Sequence, residues 1–127
     1  MVADHEDLWP ETLVTTDTAA PVSILRRQAI LLGEKTAGIL EAEVATTVGD
    51  KGNFTHDFYL VAPALDRYRY RLLTVTHPAA LYPISVYSDI YQFEADSEET
   101  FKSTLRDLLS SPRTQSLISA MVAQCRG

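Results

Sequence analysis

The sequence predicts an α+β fold, and three observations carry that prediction. Four or five strand patterns follow one another with no helix between them. Short turn-forming segments separate them. Helical periodicity is confined to the two ends of the chain. Consecutive strands with short turns make an antiparallel meander, and an antiparallel sheet needs helices over one face. The expected architecture is an N-terminal helix, an antiparallel sheet of four or five strands in meander order, and two C-terminal helices packed on one face.

The elements follow in order. Thr18-Ala19-Ala20-Pro21 reads as a helix start, with proline at the first helical position. Val22, Leu25, Ala29, Leu32 and Thr36 then recur at spacings of three and four, one face of an α-helix. Ile24, Ile30 and Leu31 lie off that stripe, so the helix is apolar over more than half its circumference. Gly38 is the expected stop.

Leu40, Ala42, Val44, Thr46 and Val48 alternate with Glu41, Glu43, Ala45 and Thr47, a half-buried strand. The turn Gly49–Asn53 leads to a second strand with Phe54, His56, Phe58, Leu60 and Ala62 on one face. A third strand runs from about Tyr68 to Thr76. Its phase changes, because Tyr68, Tyr70 and Leu72 share a face while Leu73 and Val75 do not, and a bulge near Leu72–Leu73 accounts for this. A fourth strand is expected over Leu81–Ser88 and a short fifth over Ile90–Glu94.

Asp96-Ser97-Glu98-Glu99 opens a helix, with Asp96 as the expected cap and Glu99 closing a capping box. Phe101, Leu105, Leu108 and Leu109 supply its apolar face. Ser111-Pro112 starts the last helix, lined by Leu117, Ile118, Met121, Val122 and Cys125.

At 127 residues with 46% hydrophobic and 22% charged, the chain has the composition of one globular domain and not of a disordered polymer. The net charge is −6, and residues 1–20 hold five acids (Asp4, Glu6, Asp7, Glu11, Asp17) and no base. The other 107 residues therefore carry −1. The expected organisation is an acidic arm over 1–20 and a single α+β domain over 21–127. The body lacks the basic surface of a nucleic-acid binder. The arm has neither the basic start nor the apolar core of a signal peptide, and no apolar run is long enough to span a membrane. With one cysteine, the cytoplasm is the expected compartment and no Cys-pair zinc site can form.

No catalytic or cofactor motif is present: no G-x-S-x-G, phosphate loop, G-x-G-x-x-G or HExxH. No cofactor, metal site or catalytic residue is expected, and Cys125 reads as an inert thiol on an apolar stripe. Four features stand out. Arg67-Tyr68-Arg69-Tyr70-Arg71 aims its arginines one way and its tyrosines the other. That is either an anion site or a solvated face whose arginines pair with Glu41, Glu43 or Asp57 across the sheet, the second being favoured. Trp9 stands in the acidic arm beside Leu8, Leu13 and Val14; it either folds back on its own domain, the favoured reading, or docks on a partner. Ile24 and Leu31 mark the apolar flank of the first helix as a contact surface. Six tyrosines, concentrated on the sheet, suit a pocket wall or an interface.

The leading expectation is a small non-enzymatic interaction module, an adaptor, inhibitor or immunity-like protein, contacting another protein or a second copy of itself. Neither membrane nor nucleic acid is an expected partner. One alternative is a small-ligand or anion-binding domain using Arg67–Arg71. Another is an enzyme with a sheet-edge cleft around His56, Asp57 or His77.

Overall fold

The computed structural model describes residues 6–89 and 91–127. The element order is α1 (Pro21–Lys35), β1 (Glu41–Val48), β2 (Phe54–Ala62), a 3-10 turn (Pro63–Leu65), β3 (Tyr68–His77), β4 (Ile84–Tyr87), β5 (Gln92–Ala95), α2 (Glu98–Ser110) and α3 (Pro112–Arg126). The strands form one antiparallel sheet in the order β1-β2-β3-β4-β5. This is the α+β meander that the sequence predicts.

Local chemistry sets the boundaries. Pro21 opens α1, and after Thr36 the chain reverses through Ala37 and Gly38 at φ of 53° and 81°. The Ala37 N–H donates back to the Glu34 carbonyl at 3.2 Å and the Gly38 N–H to the Gly33 carbonyl at 2.8 Å, so Ala37 is the left-handed residue that ends the helix and Gly38 continues the reversal. Ser97, not Asp96, caps α2: its hydroxyl accepts from the Thr100 N–H at 3.2 Å. A short hydroxyl at the residue directly before the helix has the geometry to reach that donor, and Asp96 stands one residue too early. Glu99 closes no capping box. Glu98 reaches back along the chain instead, as described below. Ser111 caps α3 as expected, accepting from the Thr114 N–H at 3.2 Å.

The expected bulge falls at Leu72. Phe58 pairs with Leu73 and Tyr59 with Arg71, so Leu72 is the extra residue on β3. The bulge lets Leu72 and Leu73 both be buried, and it puts Tyr70, Leu73, Val75 and His77 on the helix side of the sheet. Two strands are shorter than the alternation suggests. β4 begins at Ile84, after Pro83, and β5 covers Gln92–Ala95. The predicted start of β5 at Ile90 lies outside the described residues.

All three helices cover one face. Leu25 of α1, Phe101 and Leu105 of α2 and Met121 of α3 meet Phe58, Leu60, Leu73, Val75 and Ile84 of the sheet in one cluster. Cys125 packs half-buried at its margin. Among the described residues no helix is long and apolar enough to cross a membrane.

Ile24 is a correction. It was expected on the exposed flank of α1, but it is only 7% exposed and joins the core. The wheel misplaces it because α1 meets the sheet on one side and α2 on the other, which buries a wider sector than one stripe. Ile30 is the residue that stays outside, at 55% exposure.

The last helix is expected to be indispensable, since a 15-residue helix has little stability alone. Met121→Ala should lower the unfolding free energy by about 2–4 kcal/mol, and the exposed control Ser119→Ala should stay within about 0.5 kcal/mol. Urea denaturation reads both. Residues 1–111 alone should show no cooperative melt by circular dichroism.

Candidate functional site

A groove runs along the helix side of the molecule, between α1 and the α2–α3 pair. At one end Ile24 and Gln28 of α1 face Lys102, Leu105 and Arg106 of α2 across a cavity of about 270 Å³. At the other, Leu31 and Lys35 of α1 face Gln115 and Ile118 of α3 across a cavity of about 240 Å³, floored by Phe58, Leu60 and Leu72 of the sheet. Gln28, Leu109 and Ser110 border both cavities, so they form one trough with a waist. Lys35, Lys102 and Arg106 stand on its rim, and none of its lining residues is acidic. Lys102 shares its charge with Glu98, at 2.7 Å. A trough with an apolar floor and a cationic rim suits an apolar segment that carries acids.

Of the predicted contact residues, Ile24 and Leu31 both line this trough, Ile24 as part of its inner wall. The sequence shows the apolar floor as separate stripes. It could not show the rim, because Lys35 and Arg106 border one trough, at its two ends, only once α1 is set beside the α2–α3 pair.

The arm enters at the same end of the molecule. The Ala19 N–H donates to Glu98 Oε1 at 2.8 Å, and the Tyr82 hydroxyl donates to the Ala19 carbonyl at 3.3 Å. Lys102 and the Ala19 N–H together hold the Glu98 carboxyl below the usual range. Before Ala19 the described arm has no regular structure. Leu8 is 84% exposed, Trp9 75%, Leu13 59% and Val14 98%. The fold-back favoured for Trp9 is therefore absent. The Trp9 backbone N–H donates to Asp7 Oδ1 two residues away, at 3.0 Å, a local turn within the arm.

The arginine strand is largely self-satisfied. Arg67, at φ 56° just before β3, pairs with Glu41 at 3.5 Å and Glu43 at 2.9 Å. Arg69 pairs with Glu43 at 3.4 Å and lies 3.9 Å over the Tyr59 ring. Their aliphatic stems flank Val61, which is fully buried on this outer face between Glu41 and Arg69 in the register. Arg71 is exposed beside Thr74, Tyr87 and Asp89 and makes no ion pair among the described residues. One free arginine in place of three leaves the anion site with a single fork. The tyrosines are divided between faces: Tyr59 and Tyr87 lie outside, Tyr70 on the helix side.

His56 and His77 meet, which their separation in the chain conceals. Their Nε2 atoms are 2.8 Å apart, Thr46 Oγ1 is 2.8 Å from His56 Nδ1, and His77 Nδ1 is 2.7 Å from the Pro78 carbonyl. A carbonyl only accepts, so His77 carries its proton on Nδ1. With both rings neutral, His56 Nε2–H donates to His77 and Thr46 donates to His56. Phe54 stacks on His77 at 5.4 Å. Asp57 points to the opposite face and accepts from the Thr74 hydroxyl at 2.6 Å. The histidines and that carboxylate therefore share no cleft. Burial first, then the neighbouring His77 and Arg26, lowers the His56 pKa to about 4. Among the described residues no group of three or more His, Cys, Asp or Glu could hold a metal ion.

No family model, no curated protein and no solved structure matches the chain.

Two outcomes follow. His56 has a folded-state pKa below its unfolded value of 6.5, so its contribution to stability is complete above about pH 6.5 and is lost as pH falls towards 4. Between pH 7 and pH 5 it should cost on the order of 1–2 kcal/mol, allowing for solvent screening. Thermal melts of the wild type against His56→Gln check this: equal pH slopes would refute it. Replacing Arg67, Arg69 and Arg71 together by Gln should change stability by no more than about 1 kcal/mol per exposed pair, read in urea.

Proposed function

We propose that the protein is a non-enzymatic protein-interaction module, whose docking element is the acidic arm and whose receiving surface is the trough between the helices. One observation carries the reading: Leu8, Trp9, Leu13 and Val14 all stand in solvent on a segment tied to the domain at Ala19. Each such side chain gains about 1.5–3 kcal/mol when buried. Four together outweigh the cost of ordering a short arm by enough for a specific contact. Trp is also among the residue types that dominate interface energetics.

The polar groups support the same reading. The two histidines close a hydrogen-bonded chain inside the sheet and face no carboxylate. Arg67 and Arg69 are occupied by Glu41 and Glu43. The two histidines and two of the three strand arginines are thus spent on structure, while large apolar side chains are left outside.

The test uses the full-length chain as bait in an extract of its native source, beside the double variant Trp9→Ala/Leu13→Ala. Both side chains are exposed, so the variant should melt within a few degrees of the wild type. A protein retained by the wild type and lost by the variant is the expected result. Equal retention by both would remove the arm from the function.

A further inference from the structure

We propose that the trough between α1 and the α2–α3 pair receives the acidic arm of a second copy of this chain, so that two copies exchange arms reciprocally. This rests on the reading of the arm as a docking element and names its occupant.

Charge is the first argument. The described arm carries Glu6, Asp7, Glu11 and Asp17 and no base, while the trough rim carries Lys35, Lys102 and Arg106 with no acid among the lining residues. The two surfaces are complementary on one polypeptide. A body of net charge −1 with acids and bases mixed over it offers no general attraction to an acidic segment, so the cationic rim selects the place.

Spacing is the second. Ile24 in one cavity and Leu31 in the other are seven residues apart on α1, about 10 Å along the helix. The arm has two apolar pairs, Leu8-Trp9 and Leu13-Val14, separated by Pro10-Glu11-Thr12. Five residues span at most about 17 Å, and the chain bends at Trp9, Glu11 and Thr12, which shortens that reach towards the cavity spacing. One apolar pair enters each cavity, and Glu11 between them meets the rim.

The third argument assigns the groove to a second molecule. The arm leaves its own domain with Leu8, Trp9, Leu13 and Val14 exposed, and its own trough stands open. The grip on Ala19 by Glu98 and Tyr82 fixes the exit beside the first turn of α2. A two-fold pair in which each copy gives one arm and takes one closes without leaving an apolar segment exposed.

Trp9 is the only tryptophan, so its emission reports the arm alone. Sedimentation velocity and fluorescence are run on the full chain from about 1 to about 300 µM, a range that spans micromolar dissociation constants. The wild type should dimerise, with emission moving to the blue as concentration rises. The arm variant Trp9→Ala/Leu13→Ala and the rim variant Lys35→Glu/Arg106→Glu should each lose at least tenfold in affinity. The decisive arm is the mixture. The arm variant has no tryptophan and an intact trough, and the rim variant has an intact arm. Adding the first to the second should shift the rim variant's emission to the blue and give a heterodimer. Three results overturn the proposal: a wild type that stays monomeric with solvent-like emission, a monomer whose emission is blue at every concentration because the arm lies in its own trough, or a dimer that survives in both variants. A monomeric wild type whose bait still captures another protein through Trp9 and Leu13 would sink this inference and leave the function proposed above standing.

Discussion

A five-stranded meander with one apolar face has to be covered, and the described residues form three helices to do it. That constraint organises the molecule. α1 arrives before the sheet and α2 and α3 after it, so the cover is laid from two directions. α2 continues from β5, and Ser111 turns it directly into α3, so those two stay together. α1 touches α2 near Ile24, but towards Lys35 it faces α3 across a cavity floored by the buried Phe58, Leu60 and Leu72. The trough is the seam above the sheet where α1 and the α2–α3 pair do not close on each other. Its apolar floor is therefore a consequence of the fold, and only its cationic rim is a matter of residue choice.

β3 divides the labour between the two faces. With a strict period of two, one of Leu72 and Leu73 would face outwards. The extra residue at Leu72 buries both and keeps Tyr70 in register with Leu60. It also sets Arg69 and Arg71 on the outer face, where Glu41 and Glu43 of β1 wait two strands away. Arginine reaches over β2 because its stem is long, and in doing so it covers Val61. On the other face, the same register brings His77 beside His56. A buried pair of imidazoles is stable there only because a carbonyl at one end and a hydroxyl at the other give the chain of hydrogen bonds a direction.

How far the sequence reveals this depends on the range of the interaction. The alternation in Glu41–Val48 and Phe54–Ala62 is local, and so are the Ser111 cap and the phase change at Leu72; all are legible. β4 and β5 are four residues each, too short for a period to show, and Pro83 displaced the start of one. Ile24 is misread because a helical wheel assumes one covering surface. The partners of Arg67 and Arg69 could be named from the alternation of β1, since charges on one sheet face have few other places to go. The contact between His56 and His77 and the rim formed by Lys35 and Arg106 depend on register and helix placement, which no single segment encodes. The arm is the opposite case. Its apolar residues are plain in the sequence, and what misleads is the assumption that a tryptophan must find cover in its own chain.

The anchoring of the arm connects its role to the fold. A disordered acidic tail would need no fixed exit, yet here the backbone of Ala19 is held at both its N–H and its carbonyl. Glu98, the acid that takes the N–H, also takes Lys102, a rim residue of the trough, so one carboxylate links the root of the arm to the surface proposed to receive one. Ordering residues at the root removes conformational freedom before docking occurs, and docking then costs less. It also fixes where the arm begins relative to the trough on the same molecule. The acids along the arm repel an identical arm, so two copies meeting arm to arm are disfavoured and two meeting arm to rim are not. Self-association by exchange and by stacking of the exposed apolar residues would bury the same four side chains. Charge alone separates the two, and it separates them in favour of exchange.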